Sequence, residues 1–104
     1  MSSIDKPQIH LNLDNYKTEA NAEPFGFVLN GKRYEFINAG DLDAFEFFEN
    51  ALRGEAYATT AVIEAALGDD PDAYADFKKA GLRLRQMQHL VRNYFEHGGI
   101  QAGN

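Results

Sequence analysis

Cysteine is absent from the chain, which removes disulfides, thiol chemistry and zinc–thiolate sites together and fits a reducing cytoplasm. Serine occurs only as Ser2 and Ser3, at the terminus, so no serine nucleophile is available within the body of the sequence. No apolar run approaches the length of a membrane span, and the polar start Met-Ser-Ser-Ile-Asp-Lys-Pro does not read as a secretory signal. Basic residues are in the minority. A net charge of −6 works against generic nucleic-acid binding, which depends on cations neutralising phosphates. With 104 residues, 44% hydrophobic and 25% charged, the chain has the composition of one globular domain with one modest core.

Sites for chemistry are equally scarce. His10, His89 and His97 are spread over an N-terminal arm, a helix face and a helix end, with no His-Glu-x-x-His spacing among them. His97 reads as a cation compensating a helix C-terminus. The acids around Asp70 lack the glycine and the terminal glutamate of a calcium loop, and a helix N-terminus accounts for them. Gly26, Gly31 and Gly40 have turn roles and do not form a phosphate-binding loop. The chain is therefore read as non-enzymatic, with no catalytic residue, no cofactor and no metal.

What the chain does have is a strong hairpin signal. Between Pro24 and Ile37, two short apolar runs flank Asn30-Gly31, the pair that best tolerates the positive φ values of a type I′ turn. Strand periodicity puts Phe25, Phe27 and Leu29 on one face, joined by Tyr34 and Phe36. A lone hairpin is marginal in water, so this aromatic face needs a cover. Its strand edges are also a candidate site for self-pairing or for adding a partner's strand.

Four glycine-punctuated helices are expected after the hairpin, over 41–53, 55–67, 71–80 and 82–97. Asp41 is the expected N-cap of the first, with Leu42, Phe45, Phe48 and Leu52 on one face by their spacing and Phe47 lying well off that stripe. The second is alanine-rich and suited to a central position. The third opens on Asp70-Pro71-Asp72, which combines an N-cap, a proline at the first helical position and an acid at the positive dipole end. The fourth carries Leu84, Met87, Leu90, Val91, Tyr94 and Phe95 on one side. The expected fold class is α+β, an N-terminal β-hairpin (25–37) packed on a mainly α-helical domain, with the first and fourth helices as the cover. Residues 1–23 form an arm with a short helix over 14–22 begun by Asp14, residues 24–98 the single domain, and 99–104 a flexible tail.

Charge and aromatics suggest binding rather than catalysis. Residues 41–76 carry ten acids against one base, while residues 77–95 carry five bases and no acid. That division fits either neighbouring helices with complementary faces or head-to-tail self-association. Eight phenylalanines and five tyrosines exceed what a core of this size readily hides. Phe47 and Tyr57 are the hardest to place inside: Phe47 is expected at the surface, and Tyr57 reads equally well as an inter-helix tyrosine. Exposed aromatics without catalytic groups point to a protein-binding surface.

The pattern resembles the tail assembly chaperones of long-tailed bacteriophages, the siphoviruses, in particular those of actinobacteria. The resemblance is carried by Asn12-Leu13-Asp14, Glu19-Ala20 and Glu23-Pro24 leading into Phe25–Phe36, then by Ala66–Phe77 and by the closing Tyr94-Phe-Glu-His-Gly-Gly. It spans about residues 12–99 and departs from the family pattern at Ala80-Gly81-Leu82, where a Leu-Pro-type break is usual. The resemblance implies a protein that binds the tape measure protein, keeps it soluble and assists tail-tube assembly in the host cytoplasm without remaining in the mature virion. Further partners so implied are the tail tube protein, a frameshifted longer form of the chain and a second copy of itself, with no membrane or nucleic acid. The partner-binding residues expected are Phe45, Phe47, Phe48, Tyr94 and Phe95. A structural virion protein, such as a small head–tail connector or tail component, is the alternative expectation.

Overall fold

Asn30 and Gly31 turn the chain with φ of 54° and 81°, the left-handed pair of a type I′ turn. They join β1 (Phe25–Leu29) to β2 (Lys32–Phe36) in antiparallel register, with Phe25 opposite Phe36, Phe27 opposite Tyr34 and Leu29 opposite Lys32. The structure, a computed structural model, describes residues 8–16, 22–68 and 70–100. Beyond the hairpin come a 3-10 turn (Ala39–Asp41) and four helices: α1 (Ala44–Ala51), α2 (Glu55–Ala66), α3 (Pro71–Lys79) and α4 (Leu84–His97). This is the expected α+β architecture, with helix ends either unchanged or moved by up to three residues.

The largest shift is at α1. Its N-cap is Asp43, not Asp41, because Asp41 is used in the preceding 3-10 turn and Leu42 is extended. The Asp43 carboxylate accepts from the Glu46 amide at 2.8 Å, satisfying one of the donors a helix start leaves open. Replacing Asp43 with alanine should lower stability by about 1 kcal/mol, whereas Asp41→Ala should stay within about 0.5 kcal/mol. Denaturant midpoints of the two variants check this. The arm also differs from expectation. Asn12, not Asp14, caps a 3-10 turn at Leu13–Asn15 and Tyr16 is extended, while residues 17–21 of the expected 14–22 helix lie outside the described residues.

The aromatic face of the hairpin is covered by α3 and α4, not by α1 and α4. Phe77 of α3 stands edge-on to Phe27, Tyr34 and Phe36, with ring centroids 5.9, 5.1 and 6.1 Å away. Tyr94 of α4 meets Phe25 and Phe36 at 5.8 and 5.1 Å. Tilted and edge-to-face pairs of this kind each add about 0.5–1.5 kcal/mol beyond area burial. α1 packs on α2 instead and reaches the core through Phe47. The centre of the domain is Phe36, Ile63, Ala66, Phe77 and Tyr94, each at most 2% exposed.

A polar node pins these layers together just past β2. The Ile37 amide donates to the Ala66 carbonyl at the end of α2 (2.8 Å), and the Ile37 carbonyl accepts from the Tyr94 hydroxyl (2.6 Å). Asn38, the one buried polar side chain among the described residues, donates to the Glu23 carbonyl and accepts from the Gly40 amide, both at 2.8 Å. Gly98 is needed here: a Cβ at that position would lie 2.9 Å from the Ala39 Cβ. The hairpin turn is tied down as well, by the Asn30 amide donating to the Ala80 carbonyl at 2.7 Å.

At the junction of α3 and α4, Ala80 ends one helix and Gly81, with φ of 79°, turns the chain; Arg83 then begins the next helix, its amide donating to Gln86 Oε1 at 2.9 Å. A left-handed glycine thus does the work a Leu-Pro break would do. At the other end of α4, the Ile100 amide donates to the Phe95 carbonyl at 2.9 Å across a left-handed Gly99. This is a Schellman stop, so Gly99 and Ile100 belong to the helix end and not to a flexible tail. Residues 101–104 lie outside the described residues.

Candidate protein-binding surface

The late start of α1 sets which way its side chains face. With Ala44 as the first helical residue, Phe47 turns inward and meets the Phe95 ring edge-on at 5.9 Å. Phe45, Phe48 and Leu52 then share the opposite side, at i, i+3 and i+7, and are 80%, 65% and 88% exposed. The stripe that the spacing marks out therefore faces outward over Phe45, Phe48 and Leu52, and Phe47, expected at the surface, is half-buried. Glu46 and Glu49 flank the stripe and are both exposed. Just past α1, Arg53 is engaged with Tyr57, its guanidinium 5.1 Å from the ring centroid and Nη1 3.2 Å from the hydroxyl. The stripe is thus apolar with acidic margins.

A second feature, of mixed polarity, lies between α2 and α4, with Glu55, Gln88 and Glu96 beside its apolar residues. It is an open groove of 1230 Å³ whose α4 wall is Leu84, Met87, Val91 and Phe95 and whose α2 wall includes Ala56 and Thr59. The α2 wall is smooth because its residues are small and its hydroxyls are turned inward on the helix. Thr59 donates to the Glu55 carbonyl at 2.8 Å and Thr60 to the Tyr57 carbonyl at 2.9 Å. Leu84, expected on the buried side of its helix, is 73% exposed at one end of this groove. Arg92 lines the groove as well. The ring contacts Phe48–Phe47 (5.2 Å) and Phe47–Phe95 link the α1 stripe to the groove floor.

The five expected partner-binding residues therefore divide. Phe45 and Phe48 are at the surface. Phe47 is half-buried and Phe95 is 6% exposed, serving as support beneath the surface. Tyr94 is fully buried at 0% exposure and belongs to the core, because its ring fills the space between Phe25 and Phe36 and its hydroxyl is committed to Ile37. Burial and, secondarily, the Asp41 carboxylate hold its pKa well above the usual tyrosine range. Leu52 and Leu84 are further surface residues, which helical spacing alone does not distinguish from core positions. The signal that could have found Leu52 is an excess: Leu42 to Leu52, around and within α1, carries more large apolar residues than one side of a short helix can hold.

Titratable groups do not converge. His89 pairs with Asn93 in its own helix (3.3 Å), and His97 Nε2 donates to the Glu23 carbonyl (2.9 Å). Asp70 is occupied as the N-cap of α3, accepting from the Asp72 amide at 2.9 Å. Among the described residues, no group of three His, Asp or Glu side chains is placed to hold a metal ion, and no ion pair joins the acidic 41–76 segment to the basic 77–95 segment. Compared with models of known protein families, with curated proteins and with solved structures, the chain matches none.

Proposed function

We propose that the chain is a tail assembly chaperone of a long-tailed bacteriophage, which holds amphipathic helices of the tape measure protein and keeps that long client soluble while tail-tube subunits assemble around it. The observation that carries this reading is the α1 stripe, where Phe45, Phe48 and Leu52 stand in water, 80%, 65% and 88% exposed. The residues quoted above for the family resemblance support it independently. The work takes place in the host cytoplasm, and the mature virion lacks the protein.

The physics suits a holding role. A helix laid against the stripe buries three large apolar side chains, each worth about 1.5–3 kcal/mol. Association itself costs about 4–15 kcal/mol, so a single contact is weak. Weak contacts repeated along a long helical client add through avidity and release again as the tail tube forms. The margins Glu46 and Glu49 favour client helices with basic flanks, which makes encounter sensitive to salt.

The test is a calorimetric titration of the purified chain with peptides spanning the amphipathic segments of the tape measure protein. Dissociation constants in the region of roughly 1–100 µM are expected, weakening as salt is raised. Failure of every segment to bind would sink the proposal. Mass spectrometry of purified virions should find the protein missing, and stoichiometric presence there would favour the structural-component role instead.

A further inference from the structure

Asn30-Gly31 closes the hairpin, and it is also the one asparagine–glycine pair in the chain. The side-chain carbonyl carbon of an asparagine can close a five-membered ring on the backbone nitrogen of the next residue. Glycine, with no Cβ, leaves that nitrogen unshielded. Every other asparagine with a residue after it precedes leucine, tyrosine or alanine, whose side chains crowd the same attack. Asn30 and Gly31 are both exposed, and the space a side chain on Gly31 would fill holds no atom within 4 Å. Water and base therefore reach the pair.

The fold makes the same side chain a fastener. Asn30 Nδ2 donates to the Ala80 carbonyl at 2.7 Å, across 50 residues of sequence. Ala80 is the C-cap of α3, where carbonyls lack helical partners and the negative end of the helix dipole lies. The hairpin thus caps α3 with a neutral amide, just before left-handed Gly81 turns the chain towards α4. On the hairpin side, the residue before Asn30 is Leu29, a core residue 7% exposed. One amide group therefore joins the turn, the end of α3 and, through its neighbour, the core.

We propose that Asn30 is a site of spontaneous deamidation, and that the reaction unfastens the hairpin tip from the α3–α4 corner. Exposed turn tips open locally at low cost. Once the tip lets go of Ala80, the Gly31 nitrogen bonds to Asn30 Cγ and the Cγ–Nδ2 bond breaks. Ammonia leaves, taking up the proton that the Gly31 amide gives. Water then opens the five-membered imide at either carbonyl, leaving aspartate or isoaspartate, and water is the sole co-reactant. An ionised aspartate has no proton to donate, and its charge is set against the negative end of α3. Isoaspartate also adds one carbon to the backbone, which a two-residue type I′ loop does not accommodate. Neither product remakes the hydrogen bond, so the change runs one way. Nothing in it depends on the proposed function.

The test incubates the full folded chain at mildly alkaline pH in water labelled with heavy oxygen, and maps its peptides by tandem mass spectrometry. Asn30 should be the first asparagine converted, should take up labelled oxygen, and should give isoaspartate in excess over aspartate. In urea, where the tip is open throughout, its conversion should be about tenfold faster. The converted chain, separated by ion exchange, should melt about 4–8 °C lower, as for the loss of one hydrogen bond. Asn30→Asp should lower the melting temperature similarly without any incubation. Asn30→Gly, which suits the turn but has no side-chain amide, should show no conversion at this position. Another asparagine converting first, Asn30 left intact in the folded chain while the urea-treated chain converts, or a converted chain that melts with the original would each overturn the proposal.

Discussion

Tyr94→Ala should leave the domain at the edge of unfolding. Truncating a large buried aromatic costs about 3–5 kcal/mol, and this one also takes away the 2.6 Å hydrogen bond to the Ile37 carbonyl. A domain of this size holds a total of about 5–15 kcal/mol. The melting temperature should fall by about 15–30 °C, at about 4–8 °C for each kcal/mol. Tyr94 touches β1, β2 and the end of the hairpin at once, and its own helix through Phe95. Differential scanning calorimetry of the two proteins decides it, and a melting temperature within a few degrees of the wild type would show that the centre of the core has been misplaced.

The milder Tyr94→Phe isolates the hydroxyl. It should cost about 1 kcal/mol near neutral pH, the net worth of one hydrogen bond. At alkaline pH the order changes. The folded pKa of Tyr94 lies well above its ordinary value of 10.0, chiefly through burial. A group whose pKa is raised on folding contributes its stability fully below the unfolded value and loses it as pH rises through the window above. Wild-type stability should therefore decline from about pH 10 upward, and the Phe variant should lose less over the same range. Urea titrations at pH 8 and pH 11 make the comparison.

The second large effect concerns binding. Phe45→Asp combined with Phe48→Asp should weaken the hold on a tape measure helix by about 4 kcal/mol, about a thousandfold, since two aromatic anchors are lost at the centre of the contact. Stability should hardly change, because both side chains already lie in water. That separation is the diagnostic part. A loss of binding together with a loss of fold would carry no information about the surface, whereas a folded non-binder locates it. Val28→Asp is the matching control: Val28 is 69% exposed on the far face of the hairpin, away from α1, and its replacement should leave binding unchanged.

Local chemistry made much of the fold legible. Asn30-Gly31 has few alternatives to a tight hairpin turn, and Asp70-Pro71 few alternatives to a helix start, so both are found where the residues place them. The aromatic excess was legible too, as more rings than one core can hold. What could not be read was direction. Over eight residues, Phe45, Phe47 and Phe48 point to several sides of α1, and the choice of inward face depends on Leu42 being left out of the helix and on Phe95 waiting opposite Phe47. The cover of the hairpin was hidden for a related reason. A three- or four-residue spacing marks a helix as amphipathic without naming its partner, and Phe77 on short α3 meets three hairpin rings through tertiary packing alone. Tyr94 falls under the same limit, since an aromatic near a helix end looks alike in sequence whether it closes a core or waits for a partner.

The most direct measurement is the soluble fraction of the tape measure protein when it is co-expressed with this chain. With the wild type the client should stay soluble and co-purify, and with Phe45→Asp/Phe48→Asp it should aggregate while the variant itself stays folded and soluble. A client that remains soluble with the double variant, or precipitates with the wild type, would contradict the account.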